Sequence, residues 1–137
     1  AEAHELFAAV RDQQRQVLAD APRNGMATDF LAKHLEMLGF CQSLQRQGQE
    51  LAATAKELGE LPHRSALVAL RAADLRLRAW HWLGEQDATH LDAAMALLVV
   101  AEQRGLTAAQ LPKRGFEALA AREDFQAWQQ RIAARTK

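Results

Sequence analysis

The stretch Ala93-Ala94-Met95-Ala96-Leu97-Leu98-Val99-Val100-Ala101 carries no polar side-chain atom, and it decides the fold class. It is far shorter than the span of about 20 residues that crosses a bilayer, so it must be buried by protein. Thr89 and Asp92 in front of it have the spacing of a helix capping box, and Gly105 behind it is typical of a helix end. We therefore expect this segment to be the central helix of an all-helical core.

The rest of the chain also has the composition of an all-α protein. Alanine, leucine, glutamine, arginine and glutamate dominate, and tyrosine is absent. Prolines and glycines divide the sequence into segments whose apolar residues recur at helical intervals. The predicted helices cover about residues 2–20, 28–58, 61–84, 89–104 and 116–135, the last divided near 122–124. The sequence thus predicts a single all-α domain over residues 1–137, with five or six helices in a bundle or in stacked helical hairpins.

Several helix ends can be predicted in more detail. The segment 28–58 is longer than most globular helices, which leaves room for a kink near Gly39 or Gly48. Ser65 is expected to cap the helix that follows it, and Asp124 is expected to cap the last helix. A short capped turn is predicted from Thr107 to Gln110.

Charge and cysteine content exclude several classes of function. Lys and Arg number 17, as do Asp and Glu, so no net field favours nucleic acid or an acidic membrane. The single cysteine, Cys41, permits neither an intrachain disulfide nor a thiolate metal cluster. No apolar run is long enough for a membrane span. We expect a soluble protein of the cytoplasm, although a mature exported protein fits the same sequence.

The sequence contains no set of residues with the spacing of a catalytic or metal site. Its histidines form no HExxH motif, and neither a Gly-x-Ser-x-Gly motif nor a glycine-rich phosphate loop occurs. An enzyme would need His81 and His90 to converge with a carboxylate such as Glu85 or Asp87. We therefore interpret the protein as non-enzymatic, without a cofactor or a metal.

Arginines recur every seven residues along the third predicted helix. Arg64, Arg71 and Arg78 therefore share one helix face, and Arg76 lies close by. Asp74 has the spacing to pair with both Arg71 and Arg78. The face is either a solvated stripe of ion pairs or a docking surface for an acidic partner, because arginine binds carboxylates in bidentate fashion. Nucleic acid fits less well, since no aromatic residues are interleaved with the basic ones.

Two tryptophans follow the arginines directly. Adjacent helical residues point about 100° apart, so Trp80 and Trp82 diverge and do not both fit a narrow core stripe. One of them is expected to be partly exposed. Trp and Arg are enriched among the residues that dominate protein interfaces, although a tryptophan at this position also closes the end of a core.

These features favour a protein-binding module with no chemistry of its own, such as an adaptor, a chaperone-like protein or an inhibitor or immunity protein. Its predicted partner-binding residues are Arg64, Arg71, Arg76, Arg78, Trp80 and Trp82. The expected partner is another protein with an acidic surface, and the sequence is also compatible with a homo-oligomer. The alternative is a small-molecule-binding or sensory bundle. Its apolar pocket between helices would be lined by Met95, Leu98, Phe116 and Trp128.

Overall fold

Six α-helices and two short 3-10 turns form most of the part of the chain that the structure describes. This structure is a computed structural model, and it describes residues 2–20, 25–62 and 65–135. The helices are α1 Glu2–Asp20, α2 Gly25–Leu44, α3 Gly48–Gly59, α4 Ala66–Trp82, α5 Thr89–Gln103 and α6 Glu123–Ala133, and the 3-10 turns are Ala108–Gln110 and Glu117–Leu119. Because these ranges contain no strand, the all-α prediction is confirmed.

Helices α2 and α4 lie side by side and parallel, and α3 runs antiparallel to both. The residues in contact follow the same order along both helices: Glu36 contacts Arg71, Gly39 contacts Leu75, and Ser43 contacts Trp82. A Cβ atom on Gly39 would lie 2.7 Å from Cδ1 of Leu75, so the side chain of Leu75 packs directly against the backbone of α2 there. Antiparallel neighbours joined by short connections, with alternate helices in contact, are stacked helical hairpins.

Helix α5 continues the stack, and α6 lies along it in parallel. The contacts between α5 and α6 join Asp92 to Arg122, Leu98 to Trp128, and Glu102 to Arg131. Between these two helices, residues 104–122 form an irregular segment that contains both 3-10 turns. This segment returns along the side of α4, as the lining of the cavities described below shows.

Helix α4 is the central helix, because it contributes to two clusters of buried side chains. Its buried residues in the cluster with α2 and α3 are Ala72, Leu75 and Ala79. Its buried residues in the cluster with α5 and α6 are Ala69, Leu70, Ala73 and Leu77. The small alanine side chains allow neighbours to pack closely on both sides of α4.

The prediction that α5 is the central helix is wrong. Its buried apolar residues lie on one face, whereas Ala96 and Val99 are exposed, Val99 to 36%. The strongly apolar composition of α5 does not determine its depth. A helix is deeply buried when other helices pack on two of its sides, and this is the case for α4.

The predicted helix 28–58 is interrupted, and the break falls between the two glycines named as candidate kinks. Arg46 takes a left-handed conformation, with φ of 58°. The amide of Gln47 donates to the carbonyl of Gln42, and the amide of Arg46 donates to that of Ser43, which is the hydrogen-bond pattern of a Schellman helix end. An arginine thus occupies a position that usually favours glycine, and for that reason the sequence pattern did not locate the break.

The helix starts follow the predictions in part. Ser65 caps α4, as predicted, by accepting a hydrogen bond from the amide of Val68 at 3.2 Å. The predicted turn at Thr107 is also present, since the side chain of Gln110 accepts from the amide of Thr107 at 2.9 Å. Thr89 and Asp92 do not form the predicted capping box. Instead, Asp87 Oδ1 accepts from both the amide and the hydroxyl of Thr89.

The last helix also begins differently from the prediction. Its first residue is Glu123 and Arg122 stands at the N-cap, so Asp124 lies inside the first turn. From there its carboxylate accepts hydrogen bonds from Arg122 at 3.0 and 2.9 Å. A negative charge in the first turn of a helix is favourable, so Asp124 still stabilises this end.

Candidate protein-binding surface

The predicted arginine face is a ridge on α4, formed by Arg71, Asp74 and Arg78. Its members lie one turn apart, and both arginines are ion-paired. Nε of Arg78 lies 3.1 Å from Oδ2 of Asp74, as the spacing predicts. Nε of Arg71 lies 3.3 Å from Oε1 of Glu36 on α2, and no contact between Arg71 and Asp74 is found among the ion pairs of the described residues. Arg71 therefore pairs with Glu36 of another helix, and not with Asp74 of its own helix as the sequence predicted.

A cavity of about 340 Å³ opens on one side of this α4 ridge. One wall is α4 and the other is the irregular segment at residues 110–116. Its apolar lining consists of Leu67, Leu70, Leu111, Pro112 and Phe116, and its charged lining consists of Arg71, Asp74, Arg78 and Arg114. The cavity thus combines apolar walls with three guanidinium groups and one carboxylate.

A second cavity, of about 420 Å³, continues the first towards the end of α4. The two share Asp74, Arg78 and Gly115, so they form one groove along the ridge. The second cavity is also lined by Trp80, His81 and Trp82, and by the carboxylates of Glu85 and Glu117. We call the two cavities together the α4 groove.

The groove has opposite charges at its two ends. Three arginines and one aspartate line the first cavity, whereas Arg78 and three carboxylates line the second. The backbone amides of Glu117 itself and of Gly115 donate hydrogen bonds to the Glu117 carboxylate and hold its pKa below the usual value. A bound segment would therefore find a positive end near Leu67 and a negative end near Glu85.

Gly115 brings the outer wall close to α4. Its φ of 121° lies in the left-handed region, which favours glycine. A Cβ atom there would lie 3.2 Å from Oδ1 of Asp74. The loop is held by the hydrogen bond from the Gly115 amide to Oε2 of Glu117, at 2.9 Å. Because Gly115 has no side chain, the loop comes close to Asp74 at the point that the two cavities share.

On its other side the ridge borders α2. A shallow depression of about 260 Å³ is lined by Glu36 and Phe40 of α2, and by Arg71, Asp74, Leu75 and Arg78 of α4. The three ridge residues thus touch hollows on both sides. Burial raises the pKa of Glu36, and the nearby charges of Arg71 and Lys33 oppose that shift.

The remaining predicted partner-binding residues lie in different places. Arg64 falls outside the described residues. Arg76 points towards α5, where its Nε donates to Nδ1 of His90 at 2.9 Å. Trp80 and Trp82 are both half-buried, and both line the second cavity. Trp82 also packs against the cluster of α2 and α3.

The indole of Trp82 has two polar neighbours that fix its orientation. Its Nε1 lies 3.4 Å from the hydroxyl of Ser43, and the guanidinium of Arg46 lies 5.2 Å from its ring centroid. The second contact has the geometry of a cation–π interaction. Because Arg46 ends α2, this contact ties the end of α2 to the end of α4.

The residues of the predicted apolar pocket are packed into the core. Met95, Leu98 and Trp128 belong to the buried cluster of α4, α5 and α6, and Phe116 packs against it. Trp128 is fully buried, and its Nε1 donates to the carbonyl of Leu98 at 2.9 Å. Phe116 and Trp128 also line a cavity of about 220 Å³ beside the irregular segment, whereas Met95 and Leu98 do not line it. A ligand between these helices stays a prediction.

The histidines at the turn between α4 and α5 form two separate pairs. His81 Nδ1 lies 3.3 Å from Glu85, whereas His90 lies 3.9 Å from Asp87 and contacts Arg76. Burial lowers the pKa of His90, and the positive charge of Arg76 lowers it further. In the part of the chain that the structure describes, no group of three or more His, Cys, Asp or Glu side chains could hold a metal ion.

The outer wall of the groove is the feature that sequence reasoning missed. No helix is predicted between residues 104 and 116, yet Pro112, Arg114, Gly115 and Phe116 line the groove opposite the ridge. The one signal is a pair of basic residues, Lys113 and Arg114, set between a proline and a glycine. That pattern has no periodicity and does not identify the helix it packs against.

Comparisons with protein-family models, with curated proteins and with solved structures find no match for this chain. Among the described residues, none of the helices combines the length and the apolar character that a membrane span requires. Any function must therefore be argued from the surface itself.

Proposed function

We propose that this protein is a non-catalytic protein-binding module that takes a segment of its partner into the α4 groove. The observation that carries the proposal is the composition of the groove. Apolar walls at Leu67 and Phe116 lie beside the guanidinium groups of Arg71, Arg78 and Arg114. Interfaces are typically built this way, with an apolar anchor at the centre and arginines that bind carboxylates around it.

The arginines are held in place before a partner arrives. Glu36 orients Arg71, and Asp74 orients Arg78. Groups that are already ordered lose less conformational entropy on binding, so their contacts contribute more to the affinity. Arg71 is 58% exposed despite its ion pair, which leaves its outer nitrogens accessible to a carboxylate of the partner.

The charges of the groove also favour one direction of the bound segment. An acidic end would lie near Arg71 and Arg114, and a basic end would lie near Glu85 and Glu117. The opposite direction would place like charges together, which disfavours it. The partner is thus a segment with an apolar anchor, acidic residues on one side of it and basic residues on the other.

A selection from random 12-residue peptides displayed on phage tests the proposal. Selected peptides are synthesised with a fluorophore, and their affinities are measured by fluorescence anisotropy. We expect an apolar residue with Asp or Glu on one side of it and Lys or Arg on the other. The double variant Arg71→Glu and Arg78→Glu should weaken binding by about tenfold or more, which corresponds to about 1.4 kcal/mol.

Two controls distinguish the groove from general electrostatic attraction. Arg104→Glu changes an exposed arginine at the end of α5, outside the groove lining, and should alter the affinity by less than about twofold. A peptide whose acidic residues are replaced by lysine should recover binding to the double variant. Equal loss of affinity in Arg104→Glu and in the double variant would contradict the proposal.

A further inference from the structure

Helix α2 has a second apolar face that is directed towards solvent. Its exposed members, with their exposed fractions, are Met26 (67%), Phe30 (50%), Met37 (43%), Phe40 (47%) and Leu44 (70%). Lys33, also exposed, continues the same line. Large apolar side chains that are exposed together, and not singly, mark an interaction surface in a folded protein. We call this line of six residues the α2 seam.

The spacing of the α2 seam is that of a coiled coil. Positions 26, 30, 33, 37, 40 and 44 are separated alternately by four and three residues, so they occupy the a and d positions of a heptad. From residue 26 to residue 44 the seam is about 27 Å long, at a rise of 1.5 Å per residue. The opposite face of α2 packs into the core through Leu31 and Leu35, so it leaves this face accessible.

We propose that the seam binds the α2 seam of a second copy of this chain, with the two helices antiparallel. The order of spacings reads the same from either end, so the seam is complementary to itself when one copy is reversed. The twofold axis then passes at residue 35. Met26 faces Leu44 of the second copy, Phe30 faces its Phe40, and Lys33 faces its Met37.

The lysine selects this direction. In a parallel dimer, Lys33 would face Lys33 of the second copy, and two like charges would meet inside an apolar seam. In the antiparallel dimer, its stem lies along Met37, and its ammonium group comes next to Glu36 of the second copy. Glu36 is half-buried and flanks the seam, so the positive charge meets a carboxylate that is already in place.

This inference goes beyond the proposed function and does not depend on it. The first cavity of the α4 groove lies on the far side of the ridge from α2, and the second cavity includes Ser43 of α2 in its lining. The seam residue that borders the ridge is Phe40. Failure of either experiment would leave the other proposal standing.

Cysteine cross-linking of the full chain tests the antiparallel direction. Met26→Cys and Leu44→Cys are made separately in a Cys41→Ser background and are oxidised alone and as a mixture. We expect a disulfide-linked dimer only in the mixture, because the two positions meet only between reversed copies. A parallel dimer would instead give disulfide-linked dimers of each variant alone, and the mixture would contain no dimer that links the two different variants. That result would overturn the proposal.

Sedimentation equilibrium tests the association itself, without cysteines. Wild type should be in a concentration-dependent equilibrium between monomer and dimer, and Phe30→Glu should raise the dimer dissociation constant by about tenfold or more. The matched control is Val99→Glu, since Val99 is another exposed apolar residue but lies on α5. Its dissociation constant should change by less than about twofold. A wild-type chain that stays monomeric up to about 1 mM would overturn the proposal.

Discussion

The two terminal helices have similar amphipathic sequences but are held by different physics. Helix α6 places Phe125, Trp128 and Ile132 in the core, with at most 2% of each exposed. Helix α1 has no buried residue among its described side chains, and Leu6 is 62% exposed. Helix α1 packs along α2 with half-buried apolar side chains such as Phe7 and Val10. A polar contact between His4 and Gln42 and the ion pair from Arg15 to Glu57 also join it to the rest.

The comparison shows that an apolar face predicts a helix without predicting how deeply it is buried. Burial of large side chains supplies most of the stability of a domain, whereas exposed ion pairs supply little. We therefore expect changes in α6 to alter the free energy of unfolding strongly and equivalent changes in α1 to alter it weakly. Three variants test that difference, from the largest effect to the smallest.

Trp128→Ala should cause the largest loss of stability. Its ring is fully buried, stacks on Phe125 with centroids 5.6 Å apart, and donates a hydrogen bond to Leu98. Removal of a buried tryptophan costs about 3–5 kcal/mol, measured as the free energy of unfolding in urea. The control Leu6→Ala on α1 should change it by less than about 0.5 kcal/mol. Similar losses in both would abolish the distinction between the two helices.

Glu102→Gln should have an intermediate effect that depends on pH. Arg131 donates two hydrogen bonds to this carboxylate, at 2.8 and 3.0 Å, and thereby lowers the pKa of Glu102. At neutral pH the variant should lose about 1–2 kcal/mol, because Arg131 is half exposed and screened by solvent.

The sign of the pH effect follows from the lowered pKa of Glu102. The stabilisation is complete above the unfolded value of about 4.3, and it is lost as the pH falls through the lower folded value. Urea unfolding of wild type and variant over a series of acidic pH values should show the difference shrinking towards low pH. A difference that stays constant would mean that the charge of Glu102 plays no part.

Arg15→Gln should have the smallest effect. Arg15 pairs with Glu57 and with Asp12, but 44% of its side chain is exposed. Exposed ion pairs contribute about 0–1 kcal/mol, so thermal and urea unfolding should change little. A loss above about 2 kcal/mol would show that α1 is held by its charges more firmly than its burial suggests.

The sequence predicted the helical segments better than their depth. Glycines at the left-handed ends of α4 and α5, Gly84 and Gly105, were identified because that conformation favours glycine. The break at Arg46 was not located, because arginine does not favour the left-handed conformation that it takes there. Phe30 and Leu44 share the helical spacing of the other apolar residues in the segment 28–58, yet both are exposed.

The candidate site was predicted in part for the same reason. Arg71 and Arg78 lie on one helix, so their common face follows from helical geometry alone. Arg114 belongs to an irregular segment, and Glu36 contacts Arg71 from the neighbouring helix α2. Contacts between distant segments leave no periodic trace in a single sequence, so half of the groove came only from the structure.

The position of α4 between both clusters of buried side chains governs how the protein comes apart. Both clusters include buried side chains of α4, so we expect a disturbance that displaces this helix to expose apolar surface in both at once. Such a chain loses its structure in one cooperative transition, without a folded half left behind. Trp128 lies in one cluster and Trp82 packs beside the other, so tryptophan fluorescence reports on both. We expect it to change in the same transition as the helical circular dichroism signal.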